Sequence, residues 1–143
     1  MNIHGEWEIS VIRQILVRST AGVFNEQGTL AVFKETQQKA PIGAPWVGLT
    51  NAENWEMSGA SSLQMFPNMR EWAFAHNCQA LAIVVTSELK KKIHQTQTGQ
   101  FPEDRVAYFS DLAQACAWLS EKGFPISVDE YPHRAFISRT AAS

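Results

Sequence analysis

The sequence predicts an α/β domain: a mostly parallel sheet with one antiparallel edge strand and flanking helices, in the order β-β-α-β-α-β-α-β-α. Three observations carry that prediction. Apolar runs of strand length, clearest in Ala80-Leu81-Ala82-Ile83-Val84-Val85, alternate with segments of helical period. Two strand-like runs stand side by side at the start, which is how an antiparallel edge is supplied to a parallel sheet. The chain has 143 residues, one domain's worth, and at that size it can bury a core without metal or disulfide.

Trp7, Ile9 and Val11 alternate with Glu8 and Ser10, so residues 6–11 read as a half-buried strand. Gln14-Ile15-Leu16-Val17-Arg18 follows as a second strand, joined to the first by a tight hairpin at Ile12-Arg13. Ala21-Gly22 ends it, and Asn25 offers an N-cap to a helix. The expected inner face of that helix is Leu30 and Phe33, and Gly28 weakens it by about 1 kcal/mol relative to Ala. Beyond the loop Pro41-Ile42-Gly43-Ala44-Pro45, Trp46-Val47-Gly48-Leu49-Thr50 is largely apolar, as a central parallel strand should be. Residues 51–60 read as irregular.

A long helix is expected from Ser61 to His76, with Leu63, Phe66, Met69 and Ala73 on one stripe and Pro67 loosening its first turn. After the buried strand at residues 80–85, Ser87 caps a short helix over residues 88–95 with Leu89 and Ile93 inward. A polar loop over residues 95–104 leads to the last strand, Val106-Ala107-Tyr108-Phe109. Asp111 and Gln114 have capping-box spacing, and Leu112, Ala115, Cys116 and Leu119 follow the i, i+3, i+4, i+7 pattern of a docked helix. Gly123 is its stop. These signals place the domain at residues 1–124 and leave 125–143 as a C-terminal tail with a mobile end.

Composition narrows the function. The chain is 45% hydrophobic and 18% charged, the profile of a folded globular domain. Twelve Lys plus Arg against fourteen Asp plus Glu give a net charge of −2, which excludes the basic footprint of a dedicated nucleic-acid binder. No apolar run approaches the ~18 residues of a membrane span. Cys78 and Cys116 sit among apolar neighbours and read as buried thiols, and no leader is visible at the N-terminus, so a cytoplasmic protein is expected. His4, His76, His94 and His133 are scattered without metal-ligand spacing. No pair of carboxylates, glycine-rich phosphate loop or nucleophile elbow is placed by spacing. No catalytic residue, metal or cofactor is expected.

Ligands of open α/β sheets bind at the carboxyl ends of the strands. Those ends carry Asn51 and the pair Thr86-Ser87, which hydrogen-bond but hold no charge. Trp55, one of five tryptophans, lies among Asn51, Asn54, Met57 and Ser58. It either closes the core over the sheet edge or walls a pocket for an apolar ligand. Asn51, Asn54, Trp55, Met57, Ser58, Thr86 and Ser87 are therefore the candidate ligand-binding residues. Lys90-Lys91-Lys92 is a charge run, read either as a solvated helix face or as a weak basic patch for an acidic partner or a lipid headgroup.

With this element order, Gly22-Val23-Phe24-Asn25, Trp46-Val47-Gly48-Leu49, Arg70-Glu71-Trp72-Ala73, the strand 80–85, Tyr108-Phe109-Ser110-Asp111 and Ala115-Cys116-Ala117-Trp118-Leu119 carry a resemblance. Over residues 5–122 the chain resembles the STAS/SpoIIAA-like family, in the bacterial branch described as related to CRAL-TRIO lipid-binding domains. The resemblance implies binding and regulation rather than catalysis. The expected role is a non-catalytic regulatory or interaction module with a protein partner or a small apolar ligand. Two alternatives remain: a CRAL-TRIO-like lipid or membrane-surface binder, and a small enzyme at the strand ends near Asn51 and Ser87. Self-association into a homodimer is a further implication of the family. Anti-sigma-factor antagonists of this fold are phosphorylated at a Ser inside Asp-Ser-Ser/Thr-Gly. The matching segment here is Glu56-Met57-Ser58-Gly59, with Met57 at the acceptor position. No phosphoswitch at Ser58, Ser61 or Ser62 is expected.

Overall fold

The structure, a computed structural model, describes residues 2–97 and 104–141. Five strands form one sheet in chain order: β1 (Glu6–Ile12), β2 (Ile15–Phe24), β3 (Trp46–Ser58), β4 (Cys78–Val84) and β5 (Val106–Phe109). β1 is antiparallel to β2, and β2 to β5 are parallel. The helices are α1 (Glu26–Lys39), α2 (Ala60–Leu63), α3 (Phe66–Ala75), α4 (Glu88–Gln97), α5 (Leu112–Glu121) and α6 (Arg134–Thr140), with a 3₁₀ turn at Val128–Glu130. The fold class read from the sequence is the one observed. The hairpin turns one residue later than expected, at Arg13-Gln14, with Arg13 at φ 53°.

Consecutive parallel strands are neighbours here, so crossovers of one hand carry every intervening helix to the same side. α1, α3 and α4 accordingly cover the face that bears Leu16, Trp46, Leu81 and Ile83. The opposite face bears Ile15, Val17, Val47, Leu49, Ala80, Ala82 and Val84. Chain beyond β5 covers it: α5 with Ala115, Cys116 and Leu119, then Ile126 and Tyr131. A boundary at 124/125 therefore cuts through one core, since Ile126, Tyr131 and Phe136 of the expected tail are all buried. The expected mobile end at residues 142–143, and residues 98–103 of the expected polar loop, lie outside the described residues.

Several local expectations need correction. β2 does not end at Ala21-Gly22. It runs on to Phe24, and β3 runs beside it through residues 51–58, which read as irregular in sequence. Register shifts between Ser19 and Ala21 and between Gly22 and Val23 absorb the mismatch. The polar residues that mask the strand pattern are partners of the C-terminal segment: Asn54 Nδ2 donates to the Ile137 carbonyl (2.8 Å) and to Thr140 Oγ1 (3.0 Å).

In α1, Asn25 caps as expected, its Oδ1 accepting from the Gly28 amide at 2.8 Å. The buried face is Gly28, Thr29, Val32 and Thr36, however, and Leu30 is exposed. Gly28 leaves no room for a side chain, because the His4 carbonyl passes where a Cβ would stand. The helix expected over residues 61–76 is two helices, broken before Pro67, which sits in the first turn of α3 and lacks an amide donor. In α4, Leu89 faces solvent at 70% exposure, against expectation, while Ile93 packs on the core as expected and His94 is buried beside it. α5 follows its sequence signals: Asp111 Oδ1 accepts from the Gln114 amide at 2.8 Å, and Ala115, Cys116 and Leu119 are buried.

Candidate functional site

Between the sheet and α1, α3 and α4 lies a cavity of about 100 Å³. Its floor is the face of β2, β3 and β4 that carries Leu16, Arg18, Thr20, Gly48, Thr50, Ala52, Leu81 and Ile83. Gly48 keeps that floor low, because a Cβ there would lie 2.6 Å from Leu81 Cδ2. Val32, Phe33 and Thr36 of α1, Phe66, Met69, Arg70 and Ala73 of α3, and His94 of α4 form the walls, and Trp55 and Ser58 close one end. Trp55 Nε1 donates to Ser58 Oγ at 3.1 Å, so the indole presents its ring rather than a free polar group.

Two arginines enter this largely apolar space. Arg18 is half-buried, and it lines the cavity. Its Nη1 donates to Thr36 Oγ1 and its Nη2 to Thr50 Oγ1, both at 3.0 Å. Thr50 is its register partner on β3. Burial, and then the positive charge of Arg70, lower the Arg18 guanidinium from its ordinary 12.5 to about 10, so it stays charged at neutral pH. Arg70 donates to Tyr108 Oη at 3.1 Å, with His94 Nδ1 at 3.4 Å. Tyr108 Oη and His94 Nδ1 are 2.7 Å apart. Arginine can only donate, so Nδ1 is the unprotonated nitrogen of His94. Burial holds the His94 pKa well below 6.5, with Arg70 and Arg18 pushing the same way, which keeps the ring neutral. The ring stands edge-on to Trp55 and Tyr108, at centroid distances of 5.5 and 5.4 Å. Among the described residues no carboxylate lines the cavity.

The sequence-predicted candidates are dispersed around this site. Trp55 and Ser58 are in it. Asn51 is buried on the opposite face, where its Nδ2 donates to Tyr131 Oη at 3.3 Å. Asn54 fastens α6, Met57 is exposed, and Thr86 is exposed. Ser87 caps α4 by accepting from the Lys90 amide at 3.3 Å. Lys90 and Lys91 are half-buried and Lys92 is exposed, along the same helix that sends His94 inward. Of the serines near the start of α2, Ser62 is buried against Thr29 Oγ1, and Ser58 is held by Trp55. Ser61 is exposed.

The fold of this chain matches the crystal structure of an uncharacterized DUF3478-family protein from Shewanella loihica PV-4, described as having a SpoIIAA-like fold. The TM-score is 0.56 at 15% identity, over 83% of this chain and 98% of that one. The fold is SpoIIAA-like. No protein-family model matches the chain, and no curated protein matches it.

Within this SpoIIAA-like fold, the sequence reading missed Arg18, Thr50, Thr36, Arg70, Tyr108 and His94. A signal existed for the two arginines. Arg18 takes the inward alternate position after Leu16, directly behind the apolar run Ile15-Leu16-Val17, and Arg70 stands four residues after Phe66 on the apolar stripe of α3. A cation at a core position needs an explanation of its own.

A second polar cluster lies on the other face. Ser19 Oγ bonds Tyr131 Oη and lies 2.8 Å from His133 Nδ1, while His133 Nε2 lies 2.8 Å from Ser10 Oγ. Glu8 is 3.9 Å from the same Nε2. A hydroxyl beside an imidazole beside a carboxylate has the outline of a nucleophile and its base. Ser19, however, is 0% exposed and also bonded to Tyr131, and the cluster ties the C-terminal segment to β1 and β2.

Proposed function

We propose that this domain is a non-catalytic binding module that takes a small, largely apolar molecule into the cavity beneath α1, α3 and α4. The observation that carries the reading is the cavity itself: about 100 Å³, walled by Trp55, Phe33, Phe66, Met69 and Val32. An engineered apolar cavity of about 150 Å³ accepts benzene, and this one is about two-thirds that size, room for a short acyl chain or one ring held tightly by the walls. A long-chain lipid of the CRAL-TRIO type would need several times more room. The groups that reach the cavity also favour binding over proton transfer. Two are arginines, and His94 is held neutral by burial. General acid–base work asks for groups poised near the working pH.

Native mass spectrometry of gently purified protein tests for a retained ligand. Titration with benzyl alcohol, followed through the indole N–H signals, tests the space directly. Trp55 is expected to respond, and Ala73→Leu, which fills the cavity from α3, is expected to abolish the response. Equal responses in the two proteins would remove the cavity from the reading.

A further inference from the structure

Arg18 is a charged group set into the floor of an apolar space, and among the described residues no acidic group pairs with it. Both of its described partners, Thr36 and Thr50, are neutral hydroxyls. None of the ion pairs among the described residues includes it. Guanidinium carries five N–H donors in a planar fork, and these two bonds use two of them. The fork is also fixed in place. Its backbone belongs to a central strand, one hydroxyl comes from the neighbouring strand in register, and the other comes from α1. Pre-organised guanidinium in a low-dielectric setting is the arrangement that recognises a carboxylate through two parallel hydrogen bonds. A charge drawn partly out of water gains from a partner, and here the space beside the half-buried guanidinium is open.

We propose that the ligand of this cavity is a small monocarboxylate: an aromatic ring or short acyl chain held by the apolar walls, with its carboxylate on Arg18. The proposal rests on the cavity being a binding site, and adds the charge and class of what it binds. The remaining walls decide between anions. Trp55, Phe33, Phe66 and Met69 offer surface to an apolar body, which inorganic phosphate would leave uncovered. Arg70, tied to Tyr108 and His94, adds positive potential without standing in the carboxylate's place.

The test is a matched set of probes at pH 7, measured by calorimetry: benzoate, benzyl alcohol, benzylamine and inorganic phosphate. Benzoate is expected to bind wild-type protein about tenfold more tightly than benzyl alcohol, the factor supplied by one charge-assisted hydrogen bond. Benzylamine is expected to be excluded. Arg18→Gln should bring benzoate down to the level of benzyl alcohol, and Arg18→Lys, which keeps the charge and loses the fork, should fall between. Benzyl alcohol binding as tightly as benzoate would overturn the carboxylate proposal and leave the cavity reading standing. Binding of neither would overturn both. Phosphate binding in preference to benzoate would also overturn the proposal. Should Arg18→Gln fail to fold, the wild-type comparison still decides, and Thr50→Val, which frees one arm of the guanidinium, is expected to narrow the benzoate preference.

Discussion

Leu16, Arg18 and Thr20 of β2 face α1, α3 and α4, while Ile15, Val17 and Ser19 of the same strand face α5 and the C-terminal segment. Both faces bury polar groups, on different terms. On the α5 face, Ser19, Asn51, Tyr131 and His133 bond one another, and His133 shares a second bond with Ser10. Every one of those groups is neutral and has its partner in the chain. On the α1 face a full charge meets only two hydroxyls, beside open space. A saturated buried network rigidifies the structure and fixes its register. An unmatched charge next to a cavity adds nothing to rigidity, and points to something that arrives from outside. The first face builds the domain and the second is available to work.

The largest expected effect breaks the comparison if the C-terminal segment is only an appendage. Phe136 of α6 is buried, so Phe136→Ala should cost about 3–5 kcal/mol, as loss of a buried aromatic ring does. Leu119→Ala on α5 should cost about 2–5 kcal/mol. Urea denaturation measures both. A loss below about 1 kcal/mol for Phe136→Ala, well short of the core range, would mean that residues 125–143 stand outside the core.

Acid stability asks both faces the same question. His94 and His133 each titrate below the ordinary 6.5, in both cases chiefly because burial disfavours the imidazolium. Arg70 and Arg18 add to the shift at His94. At His133, Glu8 opposes it and Lys39 adds to it. A base lowered in the folded state leaves the unfolded chain binding more protons below 6.5. Stability should therefore be level above that pH and fall as pH drops through the folded values. His94→Gln should flatten the acid limb more than His133→Asn, because His94 is lowered further and by two cations. A pH profile that neither substitution changes would remove both histidines from the acid response.

Sequence and structure agree best where one pattern serves one purpose. β5, the caps at Asn25, Ser87 and Asp111, and the buried stripe of α5 were legible because capping chemistry and apolar period coincide there. β3 beyond Thr50 was not, because Asn51, Glu53 and Asn54 look like loop residues until the C-terminal segment is laid over them. That segment in turn looks like a tail, since Tyr131, His133 and Phe136 follow no helical or strand period. The site was half legible. Trp55 stood out by size, and Ser58 by its neighbour. Arg18, Thr50 and Thr36 come from three elements, and nothing in the order of residues says that they meet. Lys90-Lys91-Lys92 drew attention as a run, while the adjacent His94 carried the contact.

The smallest expected effect is the sharpest, because its sign differs between the faces. Ala115 on α5 is fully buried against a packed surface. Enlarging it to Leu should cost about 1–3 kcal/mol, the usual penalty of overpacking. Ala73 on α3 is buried too but borders the cavity. Ala73→Leu has space to enter and adds apolar contact, so it should stabilise by about 0.5–2 kcal/mol, the range for cavity-filling changes. Chemical denaturation of the two variants beside wild type reads the difference directly. Matching losses would mean that the α1 face is packed as tightly as the α5 face, and the contrast between a structural side and a binding side would go with it. Opposite signs would place the spare volume beside Arg18, where a ligand can use it.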